Sequence, residues 1–312
     1  GQASQGKISG PTIASFRKAI DVMEEKSDVD IQLLAIPGMR HEAITDYAMD
    51  AVEDRFDALY IMDIEEKDQN NSFVTGSSLQ IPNVTYTVNR FEARNMDSSF
   101  AAAYYPDVVM TDPRTNTNVQ VPPSVAVIGA FALNDAVAHP WYAPAGFSRG
   151  ALRRTIEAQG KLNRANLDAL YEADINPITS FPHSNGVVVF GQKTLQLTPS
   201  ALDRINVRRL FIFLEKAIAA AAKDQLFEFN DEITRINFIN IVEPFLRDVQ
   251  SKRGIQDFIV ICDETNNTPA IIDSNEFVAD IYIKPARSIN FIGLTFVATR
   301  TGVSFDEVIG KV

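Results

Sequence analysis

The order of the first four predicted elements constrains the fold of this chain more than any other feature. Apolar residues recur at helical spacing over 13–23, and a second helical pattern covers 41–55. Two apolar runs, 29–36 and 58–64, predict buried strands. Helix, strand, helix and strand joined by short links are typical of a parallel sheet covered by helices, which predicts an α/β fold. Because such a unit normally begins with a strand, we expect residues to be missing ahead of Gly1.

The middle of the chain predicts two hairpins and an apolar helix. The run Asp-Pro-Arg-Thr-Asn at 112–116 predicts the turn of the first hairpin. Pro-Pro-Ser at 122–124 predicts the start of a helix of about 13 residues, because proline is favoured in a first helical turn. Two apolar runs, 178–181 and 187–190, flank a Pro-His-Ser-Asn-Gly turn and predict the second hairpin.

The predicted elements change character near residue 205. Residues 208–227 predict a strong helix, and Asp231 caps another helical region that we expect to be interrupted at Pro244. Strand-like runs follow at 258–262, 270–272, 277–283 and 289–299. We therefore expect a multi-domain chain, with an α/β sandwich-like domain over 1–204 and an α+β domain over 205–312.

Composition excludes several classes of function. The chain has 29 Lys and Arg against 40 Asp and Glu, a net charge of −11, which disfavours binding to nucleic acid over a broad face. One cysteine excludes a disulfide framework and a four-cysteine zinc site, and three histidines leave little material for metal chemistry. No apolar run approaches the roughly 18 residues of a membrane span. We expect no cofactor, no metal, no nucleic-acid partner and no membrane insertion.

The most tempting catalytic motif is Gly-Phe-Ser-Arg-Gly at 146–150, which fits the G-x-S-x-G pattern of α/β hydrolases. That pattern works when a buried strand delivers the serine onto a sharp turn. Pro140 and Pro144 argue against such a strand ahead of Ser148, and His183 is the only histidine after it. A surface turn is the better interpretation, and a hydrolase using Ser148 stays as the alternative of another class.

Carboxylates after two predicted strands offer a weaker alternative. Asp63, Glu65, Glu66 and Asp68 follow the strand at 58–64, at the edge where α/β proteins place ligands, and carboxylates there can hold Mg²⁺ or Ca²⁺. Without a phosphate-binding glycine loop, we interpret them as a solvated acidic loop, and Asp263-Glu264 likewise.

Cysteine and paired arginines also have structural interpretations. Cys262 closes an apolar strand and is interpreted as a small buried hydrophobe. Arg208-Arg209 is interpreted as a pair of salt-bridge partners.

The end of the chain has the character of an interaction element. The run 289–299 alternates, which places Ile292, Leu294, Phe296 and Ala298 on one face. A strand near a chain terminus can leave its own domain and pair with the sheet edge of a neighbour. The candidate interface residues are Ile289, Phe291, Ile292, Leu294, Phe296, Ala298 and Phe305.

Four sequence segments together resemble a known family. The segment VPPSVAVIGAFALNDAVAHPWYAPAG, at 121–146, is similar to the proline-to-glycine stretch of contractile tail sheath proteins. INVRRLFIFLEKAI at 205–218 resembles the helix that opens the conserved C-terminal domain of that family, and FEFND at 227–231 resembles its next landmark. The run 257–310 resembles the end of sheath proteins from large contractile-tailed phages (myoviruses).

The resemblance implies a structural, non-enzymatic subunit of the virion. Sheath subunits polymerise as a helical tube around an inner tail tube, assemble in the host bacterial cytoplasm, and contract to drive the inner tube through the host envelope for genome delivery. The partners implied are further copies of the chain, the inner tail tube protein, and the baseplate and tail terminator proteins. The resemblance also implies that strands from the termini of neighbours complete a small sheet in the C-terminal domain. A sheath from a pyocin or another injection-type device remains the closest alternative.

Overall fold

The computed structural model describes residues 11–74, 81–181 and 186–289. The helices are α1 (Ile13–Glu24), α2 (Glu42–Arg55), α3 (Val84–Glu92), α4 (Pro123–Val137), α5 (Gly146–Arg149), α6 (Arg164–Glu172), α7 (Ile205–Lys223), α8 (Glu232–Ser251) and α9 (Pro269–Asp273). The strands are β1 (Leu33–Ala35), β2 (Leu59–Asp63), β3 (Ala101–Tyr105), β4 (Val108–Thr111), β5 (Asn118–Val121), β6 (Thr155–Ala158), β7 (Ile175–Ser180), β8 (Val187–Val189), β9 (Ile255–Ile261) and β10 (Asp280–Pro285).

The first core surrounds a five-stranded sheet in the order β1-β2-β3-β7-β8. The first four strands are parallel, and β8 pairs with β7 as an antiparallel hairpin. Every residue of β2 and β3 is buried, as expected for strands that are covered on both faces. The expected mixed α/β fold class, with further domain structure after it, is therefore confirmed.

The chain between β3 and β7 forms a second layer of structure. Strands β4 and β5 form the hairpin predicted around 112–116, and β6 pairs with the other edge of β4. Helix α4 begins at the predicted Pro-Pro-Ser and packs on β2 and β3 with Val127 and Phe131 fully buried.

Helix α7 crosses the amino ends of the parallel strands. Arg208 donates to the Ser99 hydroxyl just ahead of β3, and Lys216 pairs with Asp30 ahead of β1. Ile205 and Ile212 belong to the first core, whereas Leu210 and Leu214 belong to a second one. A single helix therefore joins the two parts of the chain.

The second core lies between α7, α8 and the antiparallel pair β9–β10. Phe238, Val242, Leu246 and Val249 form the buried stripe of α8, and Trp141 enters this core from the segment before α5. The division at 204/205 stays a prediction, because α7 contributes to both cores.

Several predicted elements differ from the observed ones. Helix α8 continues through Pro244, because this proline lies on the exposed side, where water can solvate the carbonyl that its ring leaves without a donor. Residues 270–272 lie in helix α9, not in a strand, since Pro269 starts a helical turn there. Strands β3 and β6 were not predicted.

None of the helices in the described ranges combines the length and apolar character needed to cross a membrane.

Gly254 tests the fit between the two parts of the chain. A Cβ atom at this position would lie 2.7 Å from Val249 Cγ1 and 3.1 Å from the Trp141 ring. We therefore expect Gly254→Ala to lower the free energy of unfolding by about 1–3 kcal/mol, because the second core cannot take an added methyl without moving. Chemical denaturation measures the change.

The matched control for this prediction is Gly129→Ala in α4. Nothing lies within 4 Å of a Cβ atom there, so helix propensity should dominate and raise stability by about 0.5–1 kcal/mol. Equal effects of the two substitutions would show that the contact of Gly254 with Trp141 does not matter.

Candidate interaction surfaces

The carboxyl end of the parallel sheet, where α/β folds bind ligands, is occupied by the protein itself. Asp63 ends β2 and is 1% exposed. Its carboxylate accepts hydrogen bonds from the Ser124 backbone N–H at 2.9 Å, from the Ser124 hydroxyl at 2.7 Å, and from the Gly38 N–H at 2.9 Å. Asp63 thus caps the amino end of α4. The N-cap residue of this helix is Pro122, whose side chain makes no capping hydrogen bond.

Arg40 fills the rest of this edge. Its guanidinium lies 3.5 Å from Glu66 and pairs with Asp107, which follows β3. Glu65 pairs with Arg90 at 2.8 Å instead. The interpretation of this run as a solvated loop is therefore wrong for Asp63 and Glu66, which are buried structural groups. Within the described residues, no group of three or more His, Cys, Asp or Glu side chains could hold a metal ion.

Burial makes Glu66 the most perturbed carboxyl of this cluster. Desolvation, with repulsion from Asp107 and Asp63 and against attraction from Arg40, raises its pKa to about 7. Desolvation also raises the pKa of Asp63, although the hydrogen bonds from Ser124 and Gly38 oppose the shift. The cluster is thus a desolvated structural site whose charges are paired with one another.

Ser148 lies on the short helix α5, and the described stretch 138–145 ahead of it contains no strand. The strand-to-helix turn that a hydrolase needs is therefore missing at this motif. His183, its only candidate partner in sequence, lies outside the described residues.

Two further sequence interpretations have clear outcomes. Cys262 is buried in the second core as predicted, and desolvation raises the pKa of its thiol. Arg209 forms the predicted salt bridge, a two-pronged pair with Asp135, but Arg208 instead donates to Ser99 and stacks 3.9 Å from the Phe100 ring. After Cys262, Asp263 binds its own turn through Thr265.

The Trp-x-x-Pro-Ala-Gly segment joins the two cores. The Trp141 indole N–H donates to the Lys252 carbonyl at 3.1 Å, and His139 stacks on the same ring at 4.6 Å. A Cβ atom at Gly150 would lie 2.6 Å from the backbone of Ala145, so only glycine fits the turn that follows. This segment is therefore a structural joint between the two cores.

The pair β9–β10 is the element best suited to pairing with another chain. Phe258, Val260, Ile281 and Ile283 pack their side chains on α7 and α8. On the other face, Ile259 and Tyr282 lie opposite each other and are more than half exposed. In the described part of the chain, this sheet has two strands, and both outer edges lack a partner strand. Two strands alone are marginally stable, so the sheet is suited to accept further strands.

The predicted interface residues are almost all beyond the described ranges. Ile289 follows β10 in irregular structure and is highly exposed. Ser288, one residue earlier, accepts a hydrogen bond from Gln192 at the start of the linker to α7. The remaining candidates, Phe291, Ile292, Leu294, Phe296, Ala298 and Phe305, lie outside the described residues, as does most of the predicted strand 289–299.

Sequence reasoning missed an exposed apolar surface between α7 and α8. Leu226, Phe227, Phe229 and Ile233 are all more than 60% exposed. The FEFND segment, at 227–231, lies in this surface. From the sequence alone, its phenylalanines resemble core residues at the ends of two amphipathic helices, but in the structure they point away from both cores.

Comparison with protein families covers most of the chain. The family described as "Phage tail sheath protein central domain" matches residues 6–195, and the family described as "Phage tail sheath C-terminal domain" matches residues 198–299. The tail sheath protein of Vibrio phage KVP40 is 49% identical over 199 residues, which are 64% of this chain and 30% of that protein. The tail sheath protein of Enterobacteria phage T4 is 42% identical over 226 residues, 72% of this chain and 34% of that protein. The chain thus spans about a third of the length of these curated relatives.

Solved structures show the same fold at lower identity. The sheath complex of an extracellular contractile injection system, PVC, in its contracted state aligns with a TM-score of 0.73 at 22% identity, over 93% of this chain and 75% of that one. A chain of the anti-feeding prophage baseplate aligns with a TM-score of 0.71 at 20% identity, over 92% of this chain and 73% of that one.

The buried Glu66 predicts a specific pH dependence of stability. Because the pKa of Glu66 is raised in the folded state, the folded protein holds this proton more tightly than the unfolded chain does. The resulting contribution to stability is present at pH 4 and is lost as the pH rises through about 7. We compare the free energy of unfolding of Glu66→Gln with that of wild type at each pH. We expect this difference to shift in favour of the variant by about 2–3 kcal/mol between pH 4 and pH 8.

Urea denaturation of both proteins across this pH range measures the difference. Glu264→Gln, at an exposed turn position after β9, is the background for the loss of one carboxylate. A pH-independent difference between wild type and Glu66→Gln would contradict the assignment.

Proposed function

Because this chain belongs to the phage tail sheath family, we propose that it is a structural subunit of a contractile tail sheath. In this function, copies polymerise as a helical tube around an inner tail tube and contract to drive that tube through the host envelope for genome delivery. The supporting observation is the β9–β10 sheet, which has a packed inner face. Both of its edges are open as far as the described residues extend, and it precedes the alternating apolar run at 289–299.

Strand donation follows from the chemistry of that sheet. An open edge presents unpaired N–H and C=O groups that a strand from another copy can pair with. The run at 289–299 has the alternation of such a strand. Because each copy would give a strand to one neighbour and accept one from another, the contact is head-to-tail and builds an open polymer.

We further propose a division of labour between the two halves of the chain. Residues 205–312 form the linking domain, and residues 1–204 form the outer domain. Arg209–Asp135 and Trp141–Lys252 connect them, and the Arg209 side chain is almost fully buried. The joint is therefore suited to moving the outer domain as one body with the linking domain.

The partners and location proposed are those of a virion component. They are further copies of this chain, the inner tail tube protein, and the baseplate and tail terminator proteins, with assembly in the host cytoplasm. The protein's role is structural and non-enzymatic, which the missing strand ahead of Ser148 supports. The likeness to sheaths of injection systems keeps a pyocin-type device as the second candidate.

A single charge on the apolar face of the proposed terminal strand should disrupt assembly. Leu294→Asp or Phe296→Asp in the full-length protein should prevent tube formation, because a carboxylate on the apolar face would be buried on pairing without a partner. Negative-stain electron microscopy of purified protein shows whether hollow tubes form.

Thr295→Asp is the matched control, since position 295 lies on the other face of the same alternating run. We expect tubes from this variant. Intact tubes from Phe296→Asp would exclude the proposed strand, and a wild-type protein that never forms tubes would exclude the sheath function itself.

A further inference from the structure

The turn between α7 and α8 exposes several large apolar side chains, which is unfavourable for an isolated subunit. Leu226, Phe227, Phe229 and Ile233 are 64%, 104%, 84% and 68% exposed, and we call these four residues the turn patch. Single exposed apolar side chains are ordinary, but four large ones within one short segment of the chain mark a surface that another molecule covers. Aromatic side chains are also enriched among the residues that dominate binding energy in interfaces.

The backbone at Phe227 adds a second cost. Its φ angle is 72°, in the left-handed region that bulky residues rarely adopt. Glycine or asparagine would be the unstrained choice at such a position. A fully exposed phenylalanine held in a strained conformation is unfavourable for the isolated subunit on both counts, which points to a use of the side chain outside the subunit.

Charge around the turn patch limits what can cover it. Residues 223–232 contain one lysine and four carboxylates: Lys223, Asp224, Glu228, Asp231 and Glu232. All five are exposed. The covering surface should therefore combine apolar groups with positive charge.

The same chain carries such a surface on the other side of the molecule. Residues 153–164 contain Arg153, Arg154, Lys161 and Arg164 against the single acid Glu157, in a chain whose net charge is −11. All four basic residues are exposed, and Ile156 is half exposed among them on β6. We call residues 153–164 the basic strip.

The two surfaces lie at opposite edges of the central sheet. Lys216 binds Asp30 and the Ile31 carbonyl just ahead of the edge strand β1, and α7 continues for about two further turns before the turn patch. The basic strip follows Leu152, whose N–H donates to the Val187 carbonyl of β8, the strand at the other edge. Complementary surfaces on opposite sides of one subunit produce head-to-tail contacts.

We propose that the turn patch of one copy docks on the basic strip of the next copy. The contact rests on the proposed function, because it is a second head-to-tail contact within the same polymer, and it is separate from the donated strand. Phe227 and Phe229 pack against the Ile156 surface, and Asp224 and Glu228 pair with Arg153 and Arg154.

Charge reversal tests the pairing in the full-length protein. One variant carries Asp224→Lys with Glu228→Lys, and the other carries Arg153→Glu with Arg154→Glu. Each variant alone brings like charges together, so we expect the concentration needed for assembly to rise roughly tenfold or more. In a 1:1 mixture, every turn patch meets a strip of opposite charge on the other variant, so assembly should recover. Sedimentation velocity and electron microscopy measure the assembly of each variant alone and of the mixture.

A second substitution separates docking from folding. Phe227→Asn removes the aromatic side chain and relieves the strained backbone, so the melting temperature should rise by about 2 °C while assembly weakens. Val137→Asn changes another exposed apolar residue, at the end of α4 and outside both surfaces, and should leave assembly unchanged.

The outcomes are distinct. Recovery in the mixture, with weaker assembly of Phe227→Asn, supports the contact. A mixture that assembles no better than either variant alone overturns it. Phe227→Asn overturns it as well if it forms normal sheath tubes that lack only the inner tube, because the turn patch would then bind the inner tube. If wild type forms no tubes, the sheath function fails, and association of the two variants in the mixture still decides the contact.

Discussion

Helix α7 is the element on which the rest of the structure depends, because two separate cores need it at once. Ile205 and Ile212 complete the core around the parallel sheet, while Leu210 and Leu214 complete the core beneath β9–β10. Arg209 lies between them and is buried against the Phe131 ring, so its charge must be paired with Asp135. If either apolar set or Asp135 were removed, α7 would lose its fixed position. The other half of the chain would then be attached to a displaced helix.

This shared helix explains why the signature segment before α5 has its particular sequence. Trp141 must reach the second core from the first half of the chain, and Gly254 must be small enough to let the indole pack. The tight turn at Gly150 then returns the chain towards β8, where Leu152 pairs with Val187. Trp-x-x-Pro-Ala-Gly, at 141–146, therefore joins the two cores, and its residue types follow from packing.

Sequence reasoning succeeded where one local rule decided the outcome. Pro-Pro-Ser predicted the start of α4, and the alternation of helices and apolar runs predicted β1 and β2. It failed at β3, because Ala101–Ala103 have low strand propensity and become strand only through burial between β2 and β7. The carboxylates after β2 were recognised as lying at the ligand edge of the sheet, but their partners Arg40 and Ser124 are distant in sequence. Exposure of Phe227 is a tertiary property that no local pattern of residues reveals. The interface role of every residue of the terminal strand, including the exposed Ile289, stays a prediction.

A tube that contracts must keep some contacts between subunits and exchange others, and the two contacts proposed for this chain differ in the physics that this requires. A donated strand pairs through backbone hydrogen bonds, and a shift by one residue would turn its apolar face to the wrong side. Such a contact resists sliding and is suited to persist. Docking of the turn patch rests on exposed apolar side chains surrounded by surface charges. Salt screens these charges, and such a contact can re-form after a rotation. In this proposal, the persistent contact lies in residues 205–312, while the exchangeable one reaches from the turn between α7 and α8 to the basic strip of a neighbour.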